Sequence, residues 1–353
     1  MREMPALNIG DLKISVPIIQ GGMGVGISLS GLASAVANEG GVGNIASVGL
    51  GDHENFDGTY AEANAAGLRK EVIKARKMTR GVFGVNTMVA LSDFDNLIDV
   101  VVEENVPLSF MGAGFDVKFP EKIKGSDTMG VPVVSYAKFI PIVLKEWGKY
   151  DYVPAAIVIE GPKAGGHLGY GMNRLKREGF IEGRLEKEVR KAVEVVDGKI
   201  PIIAAGGIYT GGDIYRIMRL GASGVQMGTR FVVTDECDAN IRFKEEYLRA
   251  TEDDIVLIDS PVGFPGRIVE NAYSENIGKG GKVVCPYHCL TNCERGKAAY
   301  CIAEALKNAG KGNLDEGFAF AGSNAWRSDK IVPVKELIDT LKREYAEAAI
   351  ADK

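Results

Sequence analysis

The stretch Ile200–Phe231, IPIIAAGGIYTGGDIYRIMRLGASGVQMGTRF, limits the fold more than any other part of the chain. Ile200–Ala205 is an apolar run of strand length that ends on Gly206 and Gly207. Asp213–Leu220 then places Ile214, Ile217 and Met218 at helical spacing, with Gly221 where a helix C-cap falls. Gly224–Met227 is a second strand, closed by Gly228 and Thr229. Two adjacent parallel strands whose C-terminal turns lack side chains let backbone N–H groups converge on an anion, and helix N-termini add partial positive charge. Strand, turn, helix, strand, turn near the end of such a series is the form of the last two strands of a (β/α)8 barrel, the usual place for a cofactor phosphate. The alternative is that these glycines make only tight βα turns.

The preceding chain supplies six more strands: Ile14–Gln20, Val42–Ala46, Val82–Thr87, Pro107–Met111, Val131–Ser135 and Ala155–Glu160. Helical patterns at Ser30–Asn38, Ala65–Met78 and Phe94–Glu104 separate the early ones, and Gly51–Asn64 reads as a loop over the barrel mouth. Short apolar runs alternating with helices imply parallel strands buried on both faces. Eight of them fit an α/β fold closed as a TIM (β/α)8 barrel, and 45 glycines suit its many short turns. A net charge of -5 leaves no electrostatic footprint for nucleic acid or an anionic membrane. No apolar run approaches membrane-spanning length, and Met1–Gly10 lacks an apolar core behind a basic start, so the expected location is cytoplasmic. Four of the five cysteines crowd between Cys285 and Cys301, which argues for reduced thiols over a secreted disulfide framework.

Residues just past the strand ends face one mouth, so chemistry is sought there. Gln20, Asn86, Lys138, Glu160 and His167 are the polar residues at those positions. Asn86 offers a donor and an acceptor to the edge of a heteroaromatic ring, or caps a turn. Lys138 is a fixed positive charge near an electron-rich ring, or an ordinary exposed lysine. His167 follows Gly165 and Gly166, which leave room for a ligand to approach its imidazole, a competent base or proton donor near neutral pH. Its other reading is a loop histidine bonded to backbone. His53 and His288 have no comparable setting.

IIQGGMGVGIS near the start, GVGNIA, FGVN, the loop from Glu160 to His167, AAGGI at Ala204–Ile208 and GVQMGTRF at Gly224–Phe231 together resemble the nitronate monooxygenase family, formerly the 2-nitropropane dioxygenases. Flavin-dependent enoyl-ACP reductases share these motifs and the superfamily. The resemblance runs over about two-thirds of the chain, in the expected order. It implies a barrel that binds FMN non-covalently. By position, Gly22, Met23 and Asn86 would border the isoalloxazine with Lys138 near it. Gly206, Gly207, Gly228 and Thr229 would hold the FMN phosphate. His167 would match the histidine that faces the flavin, with Glu160, Gly165 and Gly166 in the loop that carries it.

The resemblance also implies a smaller, mostly helical substrate domain after the eighth strand. The expected division is a barrel over 1–235, this cap over 236–321, and a return to the barrel with a C-terminal helix over 322–353. Ser260–Arg267 reads as a Gly- and Pro-rich loop, and Val332–Ala348 as a surface helix. Cys285, Cys289 and Cys293, with Pro286 at a helix N1 position, would lie along one drifting helical face, followed by Cys301. Such thiolates ligate an iron–sulfur cluster or zinc. Alternatively they are small buried hydrophobes.

The expected activity is that of an FMN-dependent oxidoreductase acting on a small molecule, foremost a nitronate monooxygenase that converts alkyl nitronates to a carbonyl compound and nitrite. The alternative on the same fold is an NAD(P)H-dependent reductase of enoyl thioesters or quinones. A homodimer is compatible with either. A barrel of the inosine-monophosphate dehydrogenase type needs a nucleophilic cysteine in a mouth loop, and the loop after the sixth strand offers His167 instead. A non-catalytic flavin-binding protein is the remaining reading.

Overall fold

The computed structural model describes residues 3–51, 55–279, 283, 285, 287–294 and 296–352; His53 and Pro286 lie outside the described residues. The chain opens with a hairpin, β1 (Leu7–Ile9) and β2 (Leu12–Ile14). Its Leu7, Ile9 and Ile14 pack with Ile19, Val42, Phe110 and Val158 and plug one end of the barrel. Ser15–Pro17 then separates the hairpin from the first barrel strand, because Pro17 supplies no ladder N–H. The run Ile14–Gln20 is therefore two elements.

The barrel follows: β3 (Ile18–Gln20), α1 (Ser30–Asn38), β4 (Gly43–Ala46), α2 (Tyr60–Met78), β5 (Phe83–Met88), α3 (Phe94–Glu103), β6 (Leu108–Gly112), α4 (Phe119–Lys122), β7 (Met129–Val134), α5 (Ile140–Gly148) and β8 (Ile157–Glu160). A two-residue strand β9 (Gly166–His167), α6 (Met172–Leu175) and α7 (Arg184–Val196) lead to β10 (Ile202–Ala205), α8 (Gly211–Met218), β11 (Gly224–Met227) and α9 (Thr229–Val232). Eight parallel strands lie in the order β3-β11-β10-β8-β7-β6-β5-β4. A parallel bridge between Ile19 and Val42 joins the two ends, with the Gln20 N–H donating to the Val42 carbonyl at 2.9 Å. The sheet is thus a barrel, as its run of both-face-buried strands predicts.

Two of the barrel helices begin at a capping box. Thr59 and Glu62 form a capping box, which starts α2 five residues before the expected Ala65. Thr210 and Asp213 do the same for α8, at Gly211 instead of Asp213. Each cap contributes roughly 1 kcal/mol, enough to draw polar residues into a helix that periodicity alone leaves out.

After the barrel come α10 (Ile241–Arg249), β12 (Ile255–Ile258), β13 (Gly266–Val269), α11 (Ala272–Glu275), α12 (Ile302–Gly310) and α13 (Val334–Ala351). β12 and β13 pair antiparallel, and β13 also pairs with β9, placing Gly266 opposite His167. The segment therefore carries a small sheet among its helices, and the expected loop Ser260–Arg267 ends inside a strand. Ile302, Ala305 and Phe318 share one apolar cluster with Leu68 and Val72 of α2 and Leu97 of α3. The helix predicted through Cys285, Cys289 and Cys293 is absent among the described residues, which form bends and turns there. His288 has φ +54°, and its carbonyl accepts from the Ser92 hydroxyl at 2.7 Å. The Cys289 carbonyl accepts from the Ser92 N–H at 3.1 Å, so carbonyls a helix needs are used on the neighbouring loop.

Candidate active site

The C-terminal ends of the strands and the segment after the barrel enclose a cavity of about 600 Å³. That is within the range of small-molecule and cofactor sites. Gly22, Met23, Asn86, Glu160, Gly165 and Gly166 line it, as do His167, Gly206, Gly207, Gly228 and Thr229. Ten residues expected near a cofactor and the expected catalytic histidine thus share one cavity. Lys138 does not line it. The chain leaves β7 through a short 3-10 turn over Ala137–Phe139, which turns this lysine outward, its Nζ 5.3 Å from the Tyr136 ring. Lys163 is the lysine in the wall. Gln20, another expected mouth residue, is buried, and its side-chain oxygen accepts from the Asn44 N–H at 2.9 Å.

At one end of the cavity the turn after β10 is built for close approach. Gly206 and Gly207 have φ of +92° and +86°, and added Cβ atoms would stand 2.7 Å from the Gly161 carbonyl oxygen and 2.7 Å from the Lys163 Cβ. Neither glycine N–H has a protein acceptor among the described residues. Asn324, on the returning chain, donates to the Gly207 carbonyl at 2.8 Å, and the Gly322 N–H donates to Thr229 Oγ1 at 3.1 Å. The turn is therefore clamped from behind with its N–H groups left to an anion. Gly165 has a packing role: a Cβ there would meet the Ala321 carbonyl carbon at 2.6 Å.

Gln226, on β11 between the two glycine turns, lines the cavity, and its Oε1 is buried without a partner among the described residues. An orphaned buried acceptor costs about 1–3 kcal/mol, so a ligand donor there is favoured. The sequence signal was available: a lone amide inside an otherwise apolar strand of the phosphate-binding pair.

His167 stands in the wall of the same cavity. Its ring packs edge-on to Phe320 at 4.9 Å between centroids, and its Nε2 lies 2.8 Å from Ser260 Oγ. The Tyr300 hydroxyl donates to the Asp259 carbonyl at 3.3 Å, which uses its only hydrogen. Which of Nε2 and Ser260 Oγ donates depends on the imidazole tautomer. Burial lowers the His167 pKa to about 4, so the ring is neutral at pH 7. Glu160 moves the other way: burial pushes it up to about 7, against the pull of Arg267 nearby. Ser260, Tyr300 and Arg267 lie far along the chain from His167, and no local pattern singles them out.

A family model described as nitronate monooxygenase matches residues 6–97 and 83–344. The chain belongs to the nitronate monooxygenase family. It is accordingly an oxidoreductase enzyme acting on a small-molecule substrate. A probable nitronate monooxygenase of Staphylococcus saprophyticus is 29% identical over 324 residues, covering 82% of this chain and 86% of its own. A 5-hydroxy-7a-methyl-1-oxo-octahydro-1H-indene-4-carboxyl-CoA dehydrogenase of Mycobacterium tuberculosis is 28% identical over 317 residues, covering 90% of this chain and 74% of its own. Among solved structures, FabK from Thermotoga maritima superposes with a TM-score of 0.75 at 28% identity, over 96% of this chain and 95% of that one. Among the described residues, no helix is long and apolar enough to cross a membrane.

Proposed function

We propose that this family member binds FMN and oxidises alkyl nitronates. The observation that carries the reading is the joining, in one cavity, of the glycine cradle at Gly206 and Gly207 to the neutral His167. The residues suit FMN: the cradle would take the phosphate, Asn86 and Gly22 lie beside each other at the cavity wall, and the unmet Gln226 Oε1 would accept from a donor of the cofactor. Bound FMN supplies the electron acceptor that the side chains lack.

The chain's own residues position the substrate and handle its charge. An anion entering beside His167 raises the ring's affinity for a proton, while Nε2 stays within hydrogen-bond distance of Ser260. The resulting imidazolium hydrogen-bonds the nitronate. A base whose pKa is about 4 is poorly matched to a neutral carbon acid, which favours the nitronate over the nitroalkane. Phe264, Leu290, Leu306 and Phe320 give the cavity an apolar wall that excludes water and accepts the alkyl part. We take the segment 236–321 to be the substrate-recognising part, since it supplies these residues and Ser260.

The Mycobacterium tuberculosis relative, named a carboxyl-CoA dehydrogenase, favours a second reading in which the same wall holds the acyl part of a thioester; NAD(P)H as the reductant rests on the resemblance to enoyl thioester reductases. An anaerobic titration separates them. The purified protein is assayed for bound FMN, and its absorbance is followed as propyl nitronate, NADH or NADPH is added separately. Bleaching by nitronate alone supports the monooxygenase; rapid bleaching by a nicotinamide alone moves the assignment to the thioester reductase. A protein that takes up no FMN refutes both.

A further inference from the structure

Four of the five cysteines take no part in the chemistry above, yet they are gathered in one place. Cys285, Cys289, Cys293 and Cys301 line a single small cavity together with His288 and Tyr300. Two come from the turns after Cys285, and the last is the N-cap residue of α12. All stand as thiols. Burial, with the thiols of Cys301, Cys285 and Cys293 close by, pushes the Cys289 thiol up to about 12. The His288 N–H donates to Cys285 Sγ at 3.4 Å. Packing requires small apolar groups in mutual contact; it does not require four sulfurs around a void.

Four thiols around one cavity offer ligands to a zinc ion or to an iron–sulfur cluster. Zinc draws four sulfurs to about 2.3 Å from one point. Among the described residues, no three His, Cys, Asp or Glu side chains are grouped to hold a single ion in that way. A cluster interposes iron and sulfide between its ligands, so its thiolates stand farther apart. We propose that Cys285, Cys289, Cys293 and Cys301 ligate an iron–sulfur cluster in the wall of the large cavity. Ligation requires these sulfurs as thiolates.

Cys289, Leu290 and Ile302 border both cavities, so the cluster stands one side chain from the substrate and cofactor space. In that position it would exchange single electrons with the flavin; this role rests on the flavin reading, whereas the metal site does not.

The test is made on full-length protein produced with ample iron and purified without oxygen. Iron, acid-labile sulfide, zinc and FMN are measured per chain, and a dithionite-reduced sample is frozen for EPR. The expected result is iron and sulfide in equal numbers, about four of each, with a low-temperature EPR signal. Cys293→Ser and Cys301→Ser should each lose most of both while FMN and far-UV circular dichroism are retained. If those variants fail to fold, the wild-type analysis decides alone. Zinc at one per chain without iron overturns the proposal. So does a wild-type protein that holds neither iron nor sulfide, even after anaerobic incubation with ferrous iron and sulfide. FMN without iron defeats the cluster and leaves the flavin reading standing; iron without FMN does the reverse.

Discussion

On the barrel side of the cavity the ligand-facing groups are backbone atoms at strand ends, bared by Gly206 and Gly207 and braced by Asn324. Elsewhere in its wall the group is a side chain, His167 on the loop after β8, backed by Ser260 from the segment after the barrel. The first kind of site is fixed once the barrel closes, because strand register places its atoms. The second exists only when two distant stretches meet through the pairing of β9 with β13. Substitutions on the barrel side should therefore show up as lost cofactor, and those on the other side as lost turnover with cofactor kept.

His167→Ala tests this most severely. The expected loss in kcat/KM is about 10² to 10⁴-fold, the usual worth of a positioned acid–base group, with FMN content unchanged. Loss of FMN in parallel would break the division. Gly206→Ala should do the opposite. Its Cβ meets the Gly161 carbonyl and its φ is one L residues avoid, a strain of about 1–3 kcal/mol. FMN affinity measured by fluorescence should fall by roughly 5- to 100-fold, with turnover of the loaded fraction nearly intact.

Glu160 sits between the halves and titrates oppositely to His167. Its folded pKa is raised to about 7, so its contribution to stability is complete below the unfolded carboxyl range and is lost as pH rises through about 7. Glu160→Gln mimics the protonated form. Its Tm relative to wild type should climb from about pH 5 to about pH 8, corresponding to roughly 3 kcal/mol for a shift of this size. His167 has a lowered pKa, so its own contribution is present above the unfolded imidazole value and lost as pH falls toward about 4. A Tm difference that is flat with pH would show that Glu160 is ionised throughout.

Ser260→Ala should lower kcat about tenfold, the scale of one lost hydrogen bond to a reacting group, with KM for nitronate and FMN content little changed. If Ser260 fixes the tautomer, the pH profile of kcat should also shift, which a purely structural role would not produce. Lys138→Ala should change FMN affinity and turnover less than about twofold, since its ammonium lies outward over Tyr136 and Phe139.

How far each region could be read from residues follows the same division. The glycine turns were legible because strand periodicity and paired glycines are local signals, and both lie within a few residues of each other. Lys138 was misplaced because position after a strand was taken as direction toward the mouth, and a 3-10 turn intervenes. Ser260 was not legible at all: its relation to His167 spans 93 residues and depends on a strand pairing. The cysteines were legible as a group but not in conformation. A four-residue spacing also fits turns whose carbonyls are taken by Ser92.

The pairing of Gly266 with His167 and of Arg267 with Gly166 has a practical consequence for building chimeras. A graft of the post-barrel segment from a relative onto this barrel would carry a foreign edge to the histidine's strand. The unit to transplant is therefore discontinuous, the loop after β8 travelling with the hairpin it pairs to, and a donor junction placed at the end of β11 alone would change the post-barrel wall at the expense of the His167 ring's orientation.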